Sequence, residues 1–177
     1  MKQIDFYVKE GQITKDKSAV TLAQRYLDKS KNNLITMQLL SEINTNGKAR
    51  ELLKVPKEYE GDEWIVICGY YAMYTAALAL LAKIGYKSKN HAATVLVLEE
   101  FFVKKKILDQ DTLSILKRTL LHKEEVEKLS DARHKREIAQ YSLTKKTTKE
   151  MAEGVRKNAY DFVEKCEEII KNGSIIN

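Results

Sequence analysis

One segment of the sequence constrains the fold more than any other: the nineteen residues from Trp64 to Ala82 contain no charged side chain. A segment of this length could span a membrane as a helix. Tyrosines and a threonine lie in its middle, however, whereas the tyrosines of membrane helices concentrate at the two interfaces, and hydroxyls at the centre of a bilayer would lack partners. We therefore predict the central helix of a helical bundle, apolar because neighbouring helices surround it, and no membrane association.

The composition favours the same architecture. One proline and seven glycines among 177 residues are too few for the many turns of a β-sandwich or barrel. With 44% hydrophobic and 32% charged residues, the chain can bury one core and is not generally disordered. We predict an all-α, up-and-down bundle of four to six helices, without a sheet, in a single domain over residues 18–177. Residues 1–17 lack sustained periodicity and are expected to form a loosely attached N-terminal arm.

Helical periodicity predicts the other long helices of this bundle. The first runs from about 18 to 44, and another is capped by Ser88 and ends near 106. The next begins at Asp109 or Asp111 and continues to about 141, either as one helix or as two that meet at a kink near Ser130. A capping-box sequence over 147–150 starts the last helix, which extends to about 172.

Cysteine and histidine positions argue against disulfides and metal sites. Cys68 and Cys166 lie far apart in apolar stretches, which indicates core thiols in a reducing compartment. Because the N-terminal sequence does not resemble a signal peptide, we expect a cytoplasmic protein. His91, His122 and His134 fall on different predicted segments without ligand spacing, so no metal is expected. The scattered glycines form no phosphate-binding loop, and no cofactor is expected.

The positive charge is concentrated in residues 133–149. This segment holds six lysines and arginines against one acidic residue, Glu137, in a chain of net charge +6. On a helix, Arg133, Arg136, Gln140 and Tyr141 lie on adjoining turns and can form one polar patch that attracts phosphate. The alternative interpretation is a solvated helix end, which is what most charge runs are.

A second candidate group is the tyrosine cluster of the charge-free helix. Tyr70, Tyr71 and Tyr74 form either a stacking platform or simply core aromatics, and Tyr70 and Tyr74 share one helix face. Their hydroxyls could point at a common polar group, and Arg136 is one candidate for it.

Four motifs together resemble the small prokaryotic HEPN proteins over about residues 62–172. They are Tyr70 to Ala77 with the helix continuing through Leu81, Lys89 to Ala92, Glu99 to Val103, and Arg136 to Tyr141 just before a capped terminal helix. The resemblance implies a bundle of four or more helices, often a homodimer with a shared polar cleft. Many members are metal-independent RNases that act as toxins beside a nucleotidyltransferase antitoxin, and others bind nucleotides or nucleic acid without cleaving.

The chain departs from the RNase members of that family at one position. They carry an arginine followed, after four to six residues, by histidine, but here Tyr141 follows Arg136. A phenol with a pKa near 10 is a poor base at neutral pH compared with an imidazole. His134 is adjacent to Arg133 and points about 100° away from it on a helix. Thr75 also stands where relatives often have histidine.

Three functions are therefore open at this point. The first is a HEPN-type nucleotide- or RNA-binding protein, weakly catalytic or inactive, that works with a nucleotidyltransferase or toxin–antitoxin partner. The second is a metal-independent endoribonuclease toxin that uses Arg136 with Tyr141 or His134. The third is a helical protein-interaction module. The candidate phosphate-binding residues are Arg133, Lys135, Lys145 and Lys146, supported by Glu137, Tyr70 and Tyr74.

Overall fold

The computed structural model describes residues 2–136 and 149–173, with side chains over 3–124 and 149–173. These residues form seven α-helices and two short strands. In chain order the elements are α1 (Lys2–Lys9), β1 (Ile13–Lys15), α2 (Ala23–Thr45), α3 (Gly47–Leu52), α4 (Asp62–Lys83), β2 (Tyr86–Ser88), α5 (His91–Leu98), α6 (Gln110–Arg136) and α7 (Lys149–Lys171). A 3-10 segment precedes α2 and a π-helical turn follows α5. The predicted all-α class is confirmed.

Helix α4 forms the centre of the core, as the charge-free run predicts. By length and composition it could cross a membrane, but 72% of its most apolar window is buried inside the bundle. Its small residues Ala72, Ala76 and Ala79 are fully buried and let neighbouring helices approach closely. Trp64, near the beginning of the helix, is an exception, because 55% of it is exposed. The helix is thus apolar because other helices cover it.

Helices α2 and α4 pack antiparallel along most of their length. At one end the side-chain amide of Asn44 donates to the carboxylate of Asp62 over 3.0 Å. Near the middle of α4, the Ser30 hydroxyl donates to the carbonyl of Ala72 over 2.7 Å, and Ser30 is fully buried. Satisfying this buried hydroxyl avoids the cost of an unpaired polar group in the core.

Helix α7 completes the core by packing against α4 and α2. The Lys31 ammonium contacts the Glu167 carboxylate at 2.7 Å, and the Arg156 guanidinium lies 3.4 Å from the side-chain oxygen of Gln38. Early residues of α2 therefore meet late residues of α7, so the two helices are antiparallel. Because α2 is also antiparallel to α4, helices α4 and α7 begin at the same end of the bundle.

Helix α6 runs in the opposite direction to α4 and α7. The charge of Lys165, late in α7, acts on Asp109 before the start of α6, while Lys123 lies over the ring of Tyr70. Helix α6 therefore runs toward the end of the bundle where α4 and α7 begin. Arg136 is thirteen residues beyond Lys123, which corresponds to about 20 Å along a helix.

The N-terminal segment corrects two sequence expectations. Ile4 and Ile13 are buried in the main core, and β1 pairs antiparallel with β2. Residues 2–17 are therefore packed onto the bundle instead of forming a loosely attached arm, and the fold contains a small two-stranded sheet. Two buried isoleucines and a three-residue strand are too short a pattern to show periodicity, and the partner strand is some seventy residues away in the sequence.

Helix ends agree with the predicted caps in one case and differ in another. The Asp109 carboxylate accepts from the backbone N–H of Thr112 over 2.7 Å, and α6 then continues unbroken past Ser130. Ser88, the expected cap of the helix after α4, is instead the last residue of β2. Asn90 caps α5, because its side-chain oxygen accepts from the N–H of Ala93. The cap of α7 predicted at Thr147 lies outside the described residues.

The sheet carries an ion pair that predicts a pH dependence of stability. Asp16 follows β1, and its carboxylate contacts the Lys87 ammonium of β2 at 2.6 Å. Hydrogen bonds from Lys87 and then Ser18 lower the pKa of Asp16 from 3.8 to about 2. Since the folded-state pKa is depressed, this contribution to stability is present above about pH 4 and is lost as the pH falls toward 2.

Thermal unfolding of the wild type and of Asp16→Asn between pH 2 and 6 measures this contribution. Other carboxylates titrate in the same range, so the relevant quantity is the difference between the two midpoints. We expect the wild type to be more stable above pH 4 and the difference to shrink below it. A difference that stays constant down to pH 2 would contradict the assignment.

Candidate functional site

Aromatic and basic side chains from three helices meet at one corner of the bundle. We call Tyr70, Tyr71, Tyr74, His91 and Lys123 the tyrosine–histidine cluster. The Tyr70 hydroxyl and Nδ1 of His91 form a hydrogen bond. The Tyr70 and Tyr74 rings are stacked with centroids 5.8 Å apart, and the His91 ring lies 4.4 Å from that of Tyr74. The two tyrosines predicted to share a face do so.

Local structure explains how each ring reaches this corner. Tyr70 and Tyr74 are four residues apart on α4 and therefore project from adjacent turns of one face. His91 is the first residue of α5, directly after its cap, Asn90. The Ser88 hydroxyl donates to the carbonyl of Asn90 over 2.9 Å, which ties this cap to the end of β2. The position of His91 is therefore set by the turn between the strand and the helix.

Lys123 brings a nearly buried positive charge to the cluster. The residue is 9% exposed, and its ammonium lies 5.6 Å from the ring centroid of Tyr70 and 5.7 Å from that of Tyr71. Attraction between an ammonium group and the faces of aromatic rings stabilises such an arrangement, more strongly where water is excluded. A cation is thus held among neutral rings at the surface of the central helix.

The Tyr74 phenol is a hydrogen-bonding group and not a nucleophile. Burial raises the pKa of Tyr74, although a hydrogen bond with Thr94 acts in the opposite direction and the neighbouring Tyr26 and Tyr71 add to the rise. The Tyr74 hydroxyl therefore stays protonated at neutral pH. Only the imidazole of His91 belongs to a residue type that commonly exchanges a proton in that range.

His91 and Lys123 are cluster residues that sequence reasoning left out of the site, and His91 shows why. It is 21 residues from Tyr70, and no local spacing connects the two. The available signal was an Asn-His pair at a helix start, shortly after the tyrosine-rich helix. The Tyr70 hydroxyl bonds His91. Because the side chain of Arg136 lies outside the described residues, the hypothesis that the tyrosine hydroxyls point at Arg136 stays a prediction.

The predicted phosphate-binding residues fall at the limit of the described structure. Arg133, His134, Lys135 and Arg136 form the last turn of α6, where the backbone is helical. The remaining predicted residues lie outside the described ranges: Glu137, Tyr141, Lys145 and Lys146. Their convergence with Arg136 therefore stays a prediction as well.

Thiols and metal ligands complete the inventory of reactive groups. Cys166 is fully buried, Cys68 is half-buried against the core, and both are free. Burial raises the pKa of both thiols, which keeps them protonated at neutral pH. Over the ranges that the structure describes, no three His, Cys, Asp or Glu side chains are grouped closely enough to hold a metal ion.

Comparison with known proteins identifies a relative of this chain. No family model matches the sequence. A UPF0332 protein of Archaeoglobus fulgidus is 30% identical over 126 residues, which cover 70% of this chain and 90% of the relative. Similarity at this level over nearly the whole length of the relative shows common family membership. This chain therefore belongs to the UPF0332 protein family.

Proposed function

We propose that this protein is a cytoplasmic, HEPN-type nucleotide- or RNA-binding protein that works with a nucleotidyltransferase or toxin–antitoxin partner and cleaves RNA weakly or not at all. The observation that carries the proposal is the continuity of α6 from Lys123 to Arg136. One helix joins the tyrosine–histidine cluster to the basic segment at the end of the bundle. Single-stranded nucleic acids bind to aromatic rings and cations; Tyr71, which is 38% exposed, is the ring of the cluster that a base could reach, and the sequence of the last turn of α6 supplies the cations.

The basic residues supply the phosphate contacts in this proposal. Arg136 can hold two phosphate oxygens at once, whereas Lys145 and Lys146 act as mobile point charges. Arg133 and Lys135 add positive charge on the same helical turn. Tyr141 would stack on a base or bond a ribose hydroxyl, and Glu137 would hold a guanidinium in place.

The placement of the histidines supports binding over cleavage. Attack of a ribose hydroxyl on its phosphate requires a base within hydrogen-bond reach of that hydroxyl while the phosphate is held. His91 bonds Tyr70 in the tyrosine–histidine cluster, and Arg136 is about 20 Å beyond Lys123 of that cluster along α6. The imidazole of His91 and the proposed phosphate-binding arginine are therefore not placed for one reaction within a single subunit, which leaves His134 as the candidate histidine of the endoribonuclease.

The endoribonuclease that uses Arg136 with Tyr141 or His134 is a second candidate, and the cluster offers a further imidazole beside a cation. His91 and Lys123 both contact the Tyr70 ring system. In a homodimer, a second subunit could bring its Arg136 to this pair. The homodimer and the nucleotidyltransferase partner are expectations from the HEPN resemblance, and sedimentation of the purified chain, alone and with the product of a neighbouring nucleotidyltransferase gene, tests both.

Arg136→Ala tests the proposed function directly. We expect the variant to bind a single-stranded RNA about tenfold more weakly than the wild type at 0.1 M salt. The slope of log affinity against log salt concentration should also fall in magnitude by about one. Arg25→Ala removes an exposed arginine from α2, away from the basic segment, and serves as the matched control. The measurement is fluorescence anisotropy of labelled RNA in the presence of EDTA, followed by gel analysis of the same samples.

The outcomes separate the three functions. Binding that depends on Arg136 with intact RNA supports the proposal. Cleavage in EDTA that Arg136→Ala abolishes would replace it with the endoribonuclease. Equal RNA affinity of Arg136→Ala and the wild type, or binding insensitive to salt, would contradict both and leave the interaction module.

A further inference from the structure

A small pocket lies at the end of the bundle where α4 and α7 begin. Side chains from the end of α2, the start of α4 and the first turns of α7 line it, and the segment between α3 and α4 closes one side. We call it the α2–α4–α7 pocket. Its volume is about 160 Å³, which is below the roughly 300–1,000 Å³ of sites for drug-sized ligands. A ligand that fits inside it is therefore a small metabolite.

Hydrogen bonds within the protein fix the walls of the pocket. Arg50 donates to the backbone carbonyls of Pro56 and Tyr59 over 2.7 and 3.2 Å, which holds the segment between α3 and α4 in place. The side-chain oxygen of Asn44 accepts from the N–H of Gly61 over 3.0 Å, and a Cβ at Gly61 would lie 2.9 Å from that oxygen. The pocket is thus preformed, which lowers the entropic cost of binding.

One wall carries a guanidinium with unused hydrogen-bonding capacity. Arg156 is half-buried, and among the described residues its one hydrogen bond is the 3.4 Å contact of Nη1 with the side-chain oxygen of Gln38. Its Nε is buried and has no partner in the described part of the chain. A guanidinium has five N–H donors, and buried polar groups are nearly always hydrogen-bonded. The carboxylate of a ligand would supply the acceptors that Arg156 lacks.

A carboxylate without a cationic partner lines the same pocket. The Asp62 carboxylate accepts from the Asn44 amide over 3.0 Å, and it forms no ion pair within the ranges that the structure describes, either with Arg156 or with any other side chain. The charged side chains of the lining balance one another in number, with Arg50, Lys149 and Arg156 against Glu60, Asp62 and Glu153. A ligand that carries both charges therefore matches this pocket better than a lone anion or a lone cation.

We propose that the α2–α4–α7 pocket binds a small α-amino acid, with its carboxylate on Arg156 and its ammonium group on Asp62. A guanidinium binds a carboxylate through two parallel hydrogen bonds, and an ammonium group has three donors for carboxylate oxygens. The size of the pocket limits the ligand to a short side chain. The ligand class follows from the side chains of the pocket itself and does not depend on the proposed binding of RNA.

NMR titration with L-alanine tests the pocket. Propionate and ethylamine are the matched probes, because each lacks one of the two charged groups of alanine and all three carry a methyl group whose signal reports binding. We expect L-alanine to bind at least about tenfold more tightly than either probe, since each probe leaves one charged group of the pocket without its hydrogen-bonding partner.

Arg156→Gln and Asp62→Asn assign the two charges to their residues. Arg156→Gln should weaken the binding of L-alanine and propionate about tenfold and leave ethylamine unchanged. Asp62→Asn keeps an oxygen for the Asn44 amide, and it should weaken L-alanine and ethylamine but not propionate. A folding defect would weaken all three ligands alike, so this selectivity separates binding from structure. Lys157→Gln changes an exposed residue of α7 outside the pocket and should behave like the wild type.

Three results would overturn the proposal. The first is no binding of L-alanine at millimolar concentration, or binding no tighter than that of propionate or ethylamine. The second is tighter binding of inorganic phosphate than of L-alanine, which would make the pocket an oxyanion site. The third is equal affinity of Arg156→Gln and the wild type for L-alanine. Because RNA binding is tested separately through Arg136, either proposal can fail alone.

Discussion

Phe162→Ala is expected to reduce the free energy of unfolding by about 3–5 kcal/mol, the usual cost of truncating a buried phenylalanine. Phe162 is fully buried and belongs to the apolar stripe of α7 that faces α4. Removing its ring exposes a cavity that the surrounding helices cannot fill without moving. Since single domains are stable by only about 5–15 kcal/mol, this one change removes a large part of the total.

Urea unfolding, followed by circular dichroism at constant temperature, measures the change. Phe6→Ala is the matched control because 59% of Phe6 is exposed on α1, and a surface truncation usually costs about 0.5 kcal/mol or less. A loss below about 1 kcal/mol for Phe162→Ala would show that α7 does not pack on α4 as described.

Alanine substitution is expected to lower the stability of the protein at Gly69 and to raise it at Gly154, because only Gly69 is in close contact with another helix. A Cβ at Gly69 in α4 would lie 2.6 Å from Cγ1 of Val155 and 3.1 Å from Sδ of Met37. Valine is stiff about χ1 and cannot turn away. Overpacking of this kind costs about 1–3 kcal/mol, more than the roughly 1 kcal/mol that alanine gains in helix propensity. Gly69→Ala should therefore destabilise the protein.

Gly154→Ala is the control for this prediction, because the new methyl group meets open space. It should stabilise the protein by about 0.5–1 kcal/mol through helix propensity alone. Val155→Ala in the Gly69→Ala background removes the clashing methyl group, so the double variant should be more stable than the sum of the two single changes by about 0.5–3 kcal/mol. Strict additivity in the thermal unfolding data would contradict close contact between α4 and α7.

Local patterns were sufficient to predict the helices that carry the core. The charge-free run from Trp64 to Ala82 corresponds to α4, and the apolar stripe that includes Phe162 corresponds to α7. The sequence allows Asp109 or Asp111 at the start of α6, and Asp109 is the residue that caps it. Such features depend on residues within a few turns of each other, because helix hydrogen bonds and caps are local interactions.

Pairings between distant segments were not predictable in the same way. The sequence between 1 and 17 has too few apolar residues to indicate where it binds, yet Ile13 is 1% exposed once β1 pairs with β2. Ser88 is a good helix cap by residue type, but it pairs with Ile13 in the sheet, and Asn90 caps α5 instead. In both cases a contact made across the chain overrides a local preference.

The candidate sites also combine features that neighbouring residues determine with features that only helix packing determines. The basic charge from Arg133 to Arg136 and the shared face of Tyr70 and Tyr74 are properties of neighbouring residues, and the sequence shows them directly. The addition of His91 to those tyrosines and the burial of Lys123 against them arise only when α5 and α6 pack around α4. Spacing along one helix determines which side chains share a face, but only helix packing determines what each face meets.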